Sequence, residues 1–207
     1  MKELCFLSVD LQKDFAGGGK HQRDRPSVPF VLTVLLPWLV QKGIKIREII
    51  SDYRQPRPGD TDECCIPGTP GYDSIIPEKA KHLDVLVKCM NSPIWTRSGI
   101  GDAHQPPGVP FQDPRFFNWW LAQVVGSPDK VDIVLFGLTL DCCVLCTAQE
   151  LRWRGYDVYI LEEATDTYDG NQRVKELLLV NRPHTFWSRR ISWKQVQERA
   201  AAGVAAT

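Results

Sequence analysis

Five short apolar runs recur along the chain, at residues 4–9, 46–50, 83–87, 131–136 and 158–161, and none shows much alternation of apolar and polar positions. Runs of that kind suit strands buried on both faces, the condition of a parallel sheet covered by helices. Helical patterns fall between them, at 28–42, 116–125, 144–154 and 174–181. In the third, Val144, Thr147, Ala148 and Leu151 stand at i, i+3, i+4 and i+7. The alternation predicts an α/β fold: a three-layer α/β/α sandwich around a mostly parallel central sheet of five or six strands.

With 207 residues there is material for one core, and the chain reads as a single domain over 1–199 followed by an Ala-rich tail, 200–207, that frays. Twenty-five basic residues balance 25 acidic ones, so no global field attracts nucleic acid or an anionic membrane surface, and a small-molecule partner is expected. No window approaches a membrane span, and the 4–9 run is too short for a secretory segment. Seven cysteines, an odd number in a chain large enough to need no staples, predict free thiols and a cytoplasmic location. Two proline-rich stretches, 56–77 and 106–114, read as long surface loops.

In an open parallel sheet, ligands bind beyond the carboxyl ends of the strands, so the polar residues that follow each apolar run carry the information. Asp10 ends the first run and Lys88 the third. Asp141-Cys142-Cys143 follows the fourth, at the entrance to a helix. A carboxylate, an ammonium and a thiol are thereby directed to one edge, and a thiol at a helix N-terminus beside a lysine is shifted toward thiolate. Singly, each residue also reads as structural: Asp10 and Lys88 as an ion pair, the cysteine as a small hydrophobe.

These stretches, Asp10-Leu11-Gln12-Lys13-Asp14-Phe15, then residues 88–92, then Gly137-Leu138-Thr139-Leu140-Asp141-Cys142-Cys143-Val144, together with Cys65-Ile66-Pro67-Gly68-Thr69, resemble the isochorismatase-like cysteine hydrolases. That superfamily includes nicotinamidases, carbamoylsarcosine amidohydrolases and ureidoacrylate amidohydrolases, and the resemblance spans about residues 4–187. It implies an Asp10, Lys88, Cys143 triad, with Cys143 as nucleophile and Cys142 as a packing residue. It further implies a cis peptide between Leu138 and Thr139, and an oxyanion hole formed by the backbone N–H groups of Thr139 and Cys143. The implied function is a cysteine-dependent amidohydrolase that cleaves a C–N bond of a small amide or ureido/carbamoyl compound through a thioester. Homo-oligomers are common in the family.

The chain departs from the nicotinamidase pattern at the metal site. Asp52 matches a ligand, but Arg54 stands two residues later where a histidine is expected, and Cys64 replaces another histidine. Asp52, Cys64 and Cys65 are zinc-competent types, yet a guanidinium beside them repels a cation. No metal and no organic cofactor is therefore expected. Arg54 becomes a candidate for binding a substrate carboxylate through its planar fork, with pairing to Asp52 or Asp60 as the alternative. Phe15 and Trp95 are the candidate apolar contacts, and the 94–114 loop, which holds Trp95 and Arg97, is a candidate lid or subunit contact.

Two other function classes compete. Cys143-Val144-Leu145-Cys146 is formally a Cys-x-x-Cys pair, which suggests a thiol-disulfide oxidoreductase. A catalytically silent binding relative would keep the fold without turnover.

Overall fold

The computed structural model describes residues 2–59 and 62–204. The first apolar run forms β1 (Glu3–Val9), buried from Cys5 onward. The other runs become β2 (Arg47–Ser51), β3 (Leu86–Lys88), β6 (Val131–Leu138) and β7 (Asp157–Asp166), while β4 (Trp95–Thr96) and β5 (Phe111–Gln112) make a small antiparallel pair. A sixth strand of the main sheet, β8 (Arg189–Ile191), has no apolar run in the sequence: it is a short edge strand carrying two exposed arginines, a composition that discourages further pairing. The main sheet has the order β3-β2-β1-β6-β7-β8, and every pairing in it is parallel.

That order runs outward in one direction from β1 to β3, then returns to the other side of β1 and runs outward to β8. Right-handed crossovers then place the helices of the two halves on opposite faces, and they leave a crevice where the direction reverses, between β1 and β6. The crossover from β1 to β2 holds α1 (Lys13–Ala16), α2 (Ser27–Phe30) and α3 (Leu36–Gln41), the last two joined by a π-type turn over Val31–Leu35 just ahead of Pro37, whose missing N–H cannot close an ordinary helical bond. The later helices are α4 (Pro114–Trp120), continued by a π-type segment Leu121–Val125, then α5 (Cys143–Trp153), α6 (Gln172–Val180), α7 (His184–Trp187) and α8 (Trp193–Val204). Trp38 of α3 meets Trp193 of α8 edge to face at 5.0 Å, so these two helices share a face.

One expectation is corrected: the third apolar run enters the sheet only at Leu86, and Leu83 is 84 % exposed. Of the stretch read as a fraying tail, the first part belongs to α8, and Ala205, Ala206 and Thr207 lie outside the described residues. Among the described residues no helix is long and apolar enough to cross a membrane.

Candidate active site

Four neighbouring strands deliver their carboxyl ends to one spot. Asp10 directly follows β1, Ser51 ends β2 with Tyr53 two residues on, Lys88 ends β3, and Cys143 opens α5 after β6. The backbone turns sharply at Asp10, where φ is +53°, and the Asp10 N–H is held by the Ile49 carbonyl at 2.9 Å. Gln12 ties the ends of β1 and β2 together. Its amide donates to the Ser51 and Tyr72 carbonyls, both at 2.9 Å, and accepts from the Ser51 N–H at 2.7 Å. Gly137 lets β6 approach β1: its φ is +117°, and a Cβ there would lie 2.1 Å from the Val9 carbonyl oxygen. The following peptide bond, Leu138–Thr139, is cis.

Lys88 is the hub. Its Nζ donates to Asp10 Oδ2 at 2.8 Å, to Ser51 Oγ at 2.8 Å and to Tyr53 Oη at 2.7 Å, and it lies 3.5 Å from Cys143 Sγ. Ser51 Oγ in turn donates to Asp10 Oδ1 at 2.8 Å. Tyr53 Oη is 3.2 Å from Cys143 Sγ, and Asn91 Oδ1 lies 3.7 Å from the same sulfur. Asp10, Ser51, Tyr53, Lys88 and Cys143 are all buried. Burial pulls the Lys88 ammonium down, but the charges of Asp10 and Cys143 outweigh it, so its pKa ends raised and the lysine stays protonated. The hydrogen bond with Cys142 and then burial push the Cys143 thiol well up, and Lys88 opposes them. Burial, followed by the nearby Cys143 and Asp10, pushes the Tyr53 phenol well above its ordinary value, so it stays an O–H.

Part of the cluster opens on a cavity of about 380 Å³, a volume suited to a small molecule. Asp10, Tyr53, Thr139 and Cys143 line it, as do Phe15, His21, Arg57 and Tyr168, while Lys88 and Ser51 lie behind them. Phe15 stacks on His21 at 5.7 Å between ring centroids, and His21 Nδ1 is 3.1 Å from Tyr168 Oη. Burial lowers the His21 pKa, which leaves the imidazole neutral at pH 7. The loop that carries His21 is fastened through Arg25, whose guanidinium donates to the carbonyls of Phe15, His21, Thr167 and Tyr168.

The structure thus brings together Asp10, Lys88, Cys143, Thr139 and Phe15. It removes Arg54 and Trp95 from the cavity wall. The Arg54 fork is already filled: Nε and Nη2 donate to Asp52 at 2.9 and 2.6 Å, and the remaining hydrogens reach the carbonyls of Gly99, Asp102 and Gln105 at 2.8, 3.1 and 2.9 Å. The expected substrate contact is therefore corrected to a buried ion pair that clamps a loop, and Asp60 lies outside the described residues. Trp95 sits in β4, paired with Gln112, and no residue of the 94–114 loop lines the cavity. Cys142, expected to be packing only, lines the cavity beside Cys143. Arg57 is the guanidinium that does line it, 3.7 Å from the centre of the Tyr53 ring. Sequence reasoning missed Ser51, Tyr53, Asn91, His21, Arg57 and Tyr168; Ser51 alone carried the signal used for Asp10, a polar residue closing an apolar run.

The nicotinamidase-type metal does not fit here. Both oxygens of Asp52 are engaged by Arg54, and Oδ2 also accepts the Gly101 N–H at 2.9 Å. Cys64 and Cys65 gather with Asp14 instead, their ligand atoms within 4.8 Å of one another. The Asp14 oxygens serve there as acceptors for the N–H groups of Cys65 at 2.6 Å and Lys20 at 3.2 Å.

No family sequence model matches the chain, and no curated protein matches it by sequence. Solved structures do resemble it. An isochorismatase family protein from Desulfovibrio vulgaris is 18% identical with a TM-score of 0.65, over 97% of this chain and 100% of that one. A nicotinamidase from Bacillus subtilis is 19% identical with a TM-score of 0.64, over 92% and 99%. A pyrazinamidase of Pyrococcus horikoshii in complex with zinc is 18% identical with a TM-score of 0.61, over 92% and 99%. The six-stranded parallel sheet, its strand order and these likenesses agree: the chain has the isochorismatase-like hydrolase fold.

Proposed function

We propose that this chain is a cysteine-dependent amidohydrolase that cleaves the C–N bond of a small amide or ureido/carbamoyl compound. One observation carries the reading: a buried ammonium 2.8 Å from a carboxylate and 3.5 Å from a thiol, both of which line a small-molecule cavity. The likeness to a nicotinamidase and a pyrazinamidase supports the same class of chemistry.

The roles follow from position. The Cys143 proton passes to Asp10, whose Oδ2 shares the Lys88 ammonium with the sulfur, and the thiolate attacks the substrate carbonyl carbon. The backbone N–H groups of Thr139 and Cys143 hold the oxyanion. Cys143 is the first residue of α5, where N–H groups have no intrahelical partner. Asp10 returns the proton to the leaving nitrogen, the C–N bond breaks, and ammonia or an amine departs from a thioester. Water, relieved of a proton by Asp10, then adds to the thioester carbonyl, and the acid leaves as Cys143 recovers its hydrogen. Lys88 stays charged throughout and stabilises both anions. With Arg54 engaged by Asp52, that guanidinium is not available to bind an acid group on the substrate. The reaction needs a reduced thiol, which suits the cytoplasm.

The test is ammonia release from a panel of primary amides and ureido compounds, neutral and acidic, by the wild type and by Cys143→Ala, with chelator present. Release by the wild type that disappears in the variant and survives the chelator is expected. Release that persists in Cys143→Ala would overturn the reading. Release that depends on Cys146 as well would favour the oxidoreductase arrangement.

A further inference from the structure

Lys88 has three hydrogens to give, and three oxygens take them: Asp10 Oδ2 at 2.8 Å, Ser51 Oγ at 2.8 Å and Tyr53 Oη at 2.7 Å. Its distance to Cys143 Sγ, 3.5 Å, is the longest of the four contacts. The lysine therefore acts on the sulfur as a charge, and its N–H bonds point to other acceptors. The Tyr53 hydroxyl is placed differently. It accepts from Lys88 and so keeps its own hydrogen to donate, and the nearest atom to receive it is Cys143 Sγ at 3.2 Å; Asn91 Oδ1 stands farther off at 3.5 Å.

From this geometry we infer that Tyr53 is a fourth catalytic residue, the O–H donor that holds Cys143 as thiolate and links it to the Lys88–Asp10 pair. The inference deepens the proposed function and rests on it for the identity of the nucleophile. A hydroxyl polarised by an ammonium at its oxygen is a stronger donor than a free phenol, and a donor to an anion in a dry site gains more than one in water. The phenol is fixed for the task. Its ring is covered by the Arg57 guanidinium at 3.7 Å and meets the edge of Phe15 at 6.4 Å between centroids. In the thiol state the direction reverses without any rearrangement: the S–H donates to Tyr53 Oη or to Asn91 Oδ1, 3.7 Å away.

Such a donor lowers the pH at which the thiolate forms. The groups that also act on the sulfur are Asp10 and Lys88 from the strand ends and Cys142, the residue just before its own helix. From the cavity wall come Arg57, Asp62 and Asp141, together with Cys64, Tyr168 and the neutral His21. All of them are retained when only the Tyr53 oxygen is removed, so a change in the titration is assigned to that oxygen.

The experiment is the pH dependence of iodoacetamide alkylation at Cys143 in the full chain, located by fragment-ion mass spectrometry, for wild type and Tyr53→Phe. The variant keeps the ring and its contacts. Its inflection is expected to move up by about one pH unit, a tenfold lower thiolate fraction at a pH below both inflections, because one hydrogen freed on Lys88 recovers part of the loss. An inflection that stays in place or moves down overturns the inference. If Tyr53→Phe does not fold, 3-fluorotyrosine at position 53 decides. Its more acidic hydroxyl should move the inflection down, and an unchanged inflection overturns the inference. Alkylation needs no amide, so a wild type that hydrolyses nothing in the panel would sink the proposed function while leaving this result to stand by itself.

Discussion

Two buried carboxylate–cation pairs stand at adjacent strand ends, and they have opposite fates. Asp10 and Lys88, after β1 and β3, meet at 2.8 Å; Asp52 and Arg54, just past β2, meet at 2.6 Å. Both carboxylates are fully buried. In the first pair the cation also touches a phenol and a thiol that line a cavity, so its field reaches groups that can react. In the second, every direction of the guanidinium ends on Asp52 or on a backbone carbonyl of the 99–105 loop, and the pair becomes a clamp. The lesson is that an ion pair's chemistry is set by where its unused valences point.

The largest effect is expected at the thiol. Cys143→Ala should lower turnover by at least about 10⁴-fold with little change in melting temperature, as expected when the nucleophile of a cooperating set is deleted. Initial rates beside a thermal melt would check both halves, and residual turnover within tenfold of wild type would dissolve the distinction between the two pairs.

Arg54→Met should do the reverse. It leaves Asp52 buried without its cation, at a cost of about 3–5 kcal/mol in denaturant unfolding, while turnover per folded molecule changes less than about twofold. The double variant Asp52→Asn, Arg54→Met should recover part of that stability. A loss of turnover at unchanged stability would return Arg54 to the substrate.

A pH ramp supplies a reference belonging to neither pair. His184 is buried, and among the described residues neither ring nitrogen has a hydrogen-bond partner; burial pulls its pKa to about 4. The unfolded chain titrates this group near 6.5 and so binds more protons than the folded one between those values. Stability must therefore fall as pH drops from about 6.5 toward 4, by about 2 kcal/mol between pH 7 and pH 5. His184→Leu should flatten that slope; the same slope in the variant would assign acid sensitivity to other groups.

The smallest effect is expected at Cys146, one turn into α5 and partly exposed. Cys146→Ser should cost less than about 1 kcal/mol and leave ammonia release unchanged. A large fall in turnover would instead support a working Cys143–Cys146 pair.

Asp10, Lys88 and Cys143 were legible because a polar residue that closes a buried apolar run in a parallel sheet has one place to be, the carboxyl edge. Tyr53 was not. An aromatic residue beyond a strand reads as core, and only its hydroxyl oxygen, 2.7 Å from Lys88 and 3.2 Å from Cys143, distinguishes it. Arg54 and Trp95 failed for the converse reason. A guanidinium shows its donors in the sequence without showing what already accepts from them, and a loop tryptophan does not show which surface it covers.

Local pattern alone gave away the layered α/β architecture, the edge on which the candidate site lies and the carboxylate, ammonium and thiol brought there. These depend on local periodicity and on the rule that parallel strands end together. The tertiary structure decided which valences stay open: that Arg54 is spent on Asp52 and a loop, that Cys142 and Arg57 reach the cavity, and that Tyr53 lies between ammonium and sulfur. Hydrogen-bond partners far apart in the chain are chosen by distances of a few tenths of an ångström, and those distances exist only once the strands have packed.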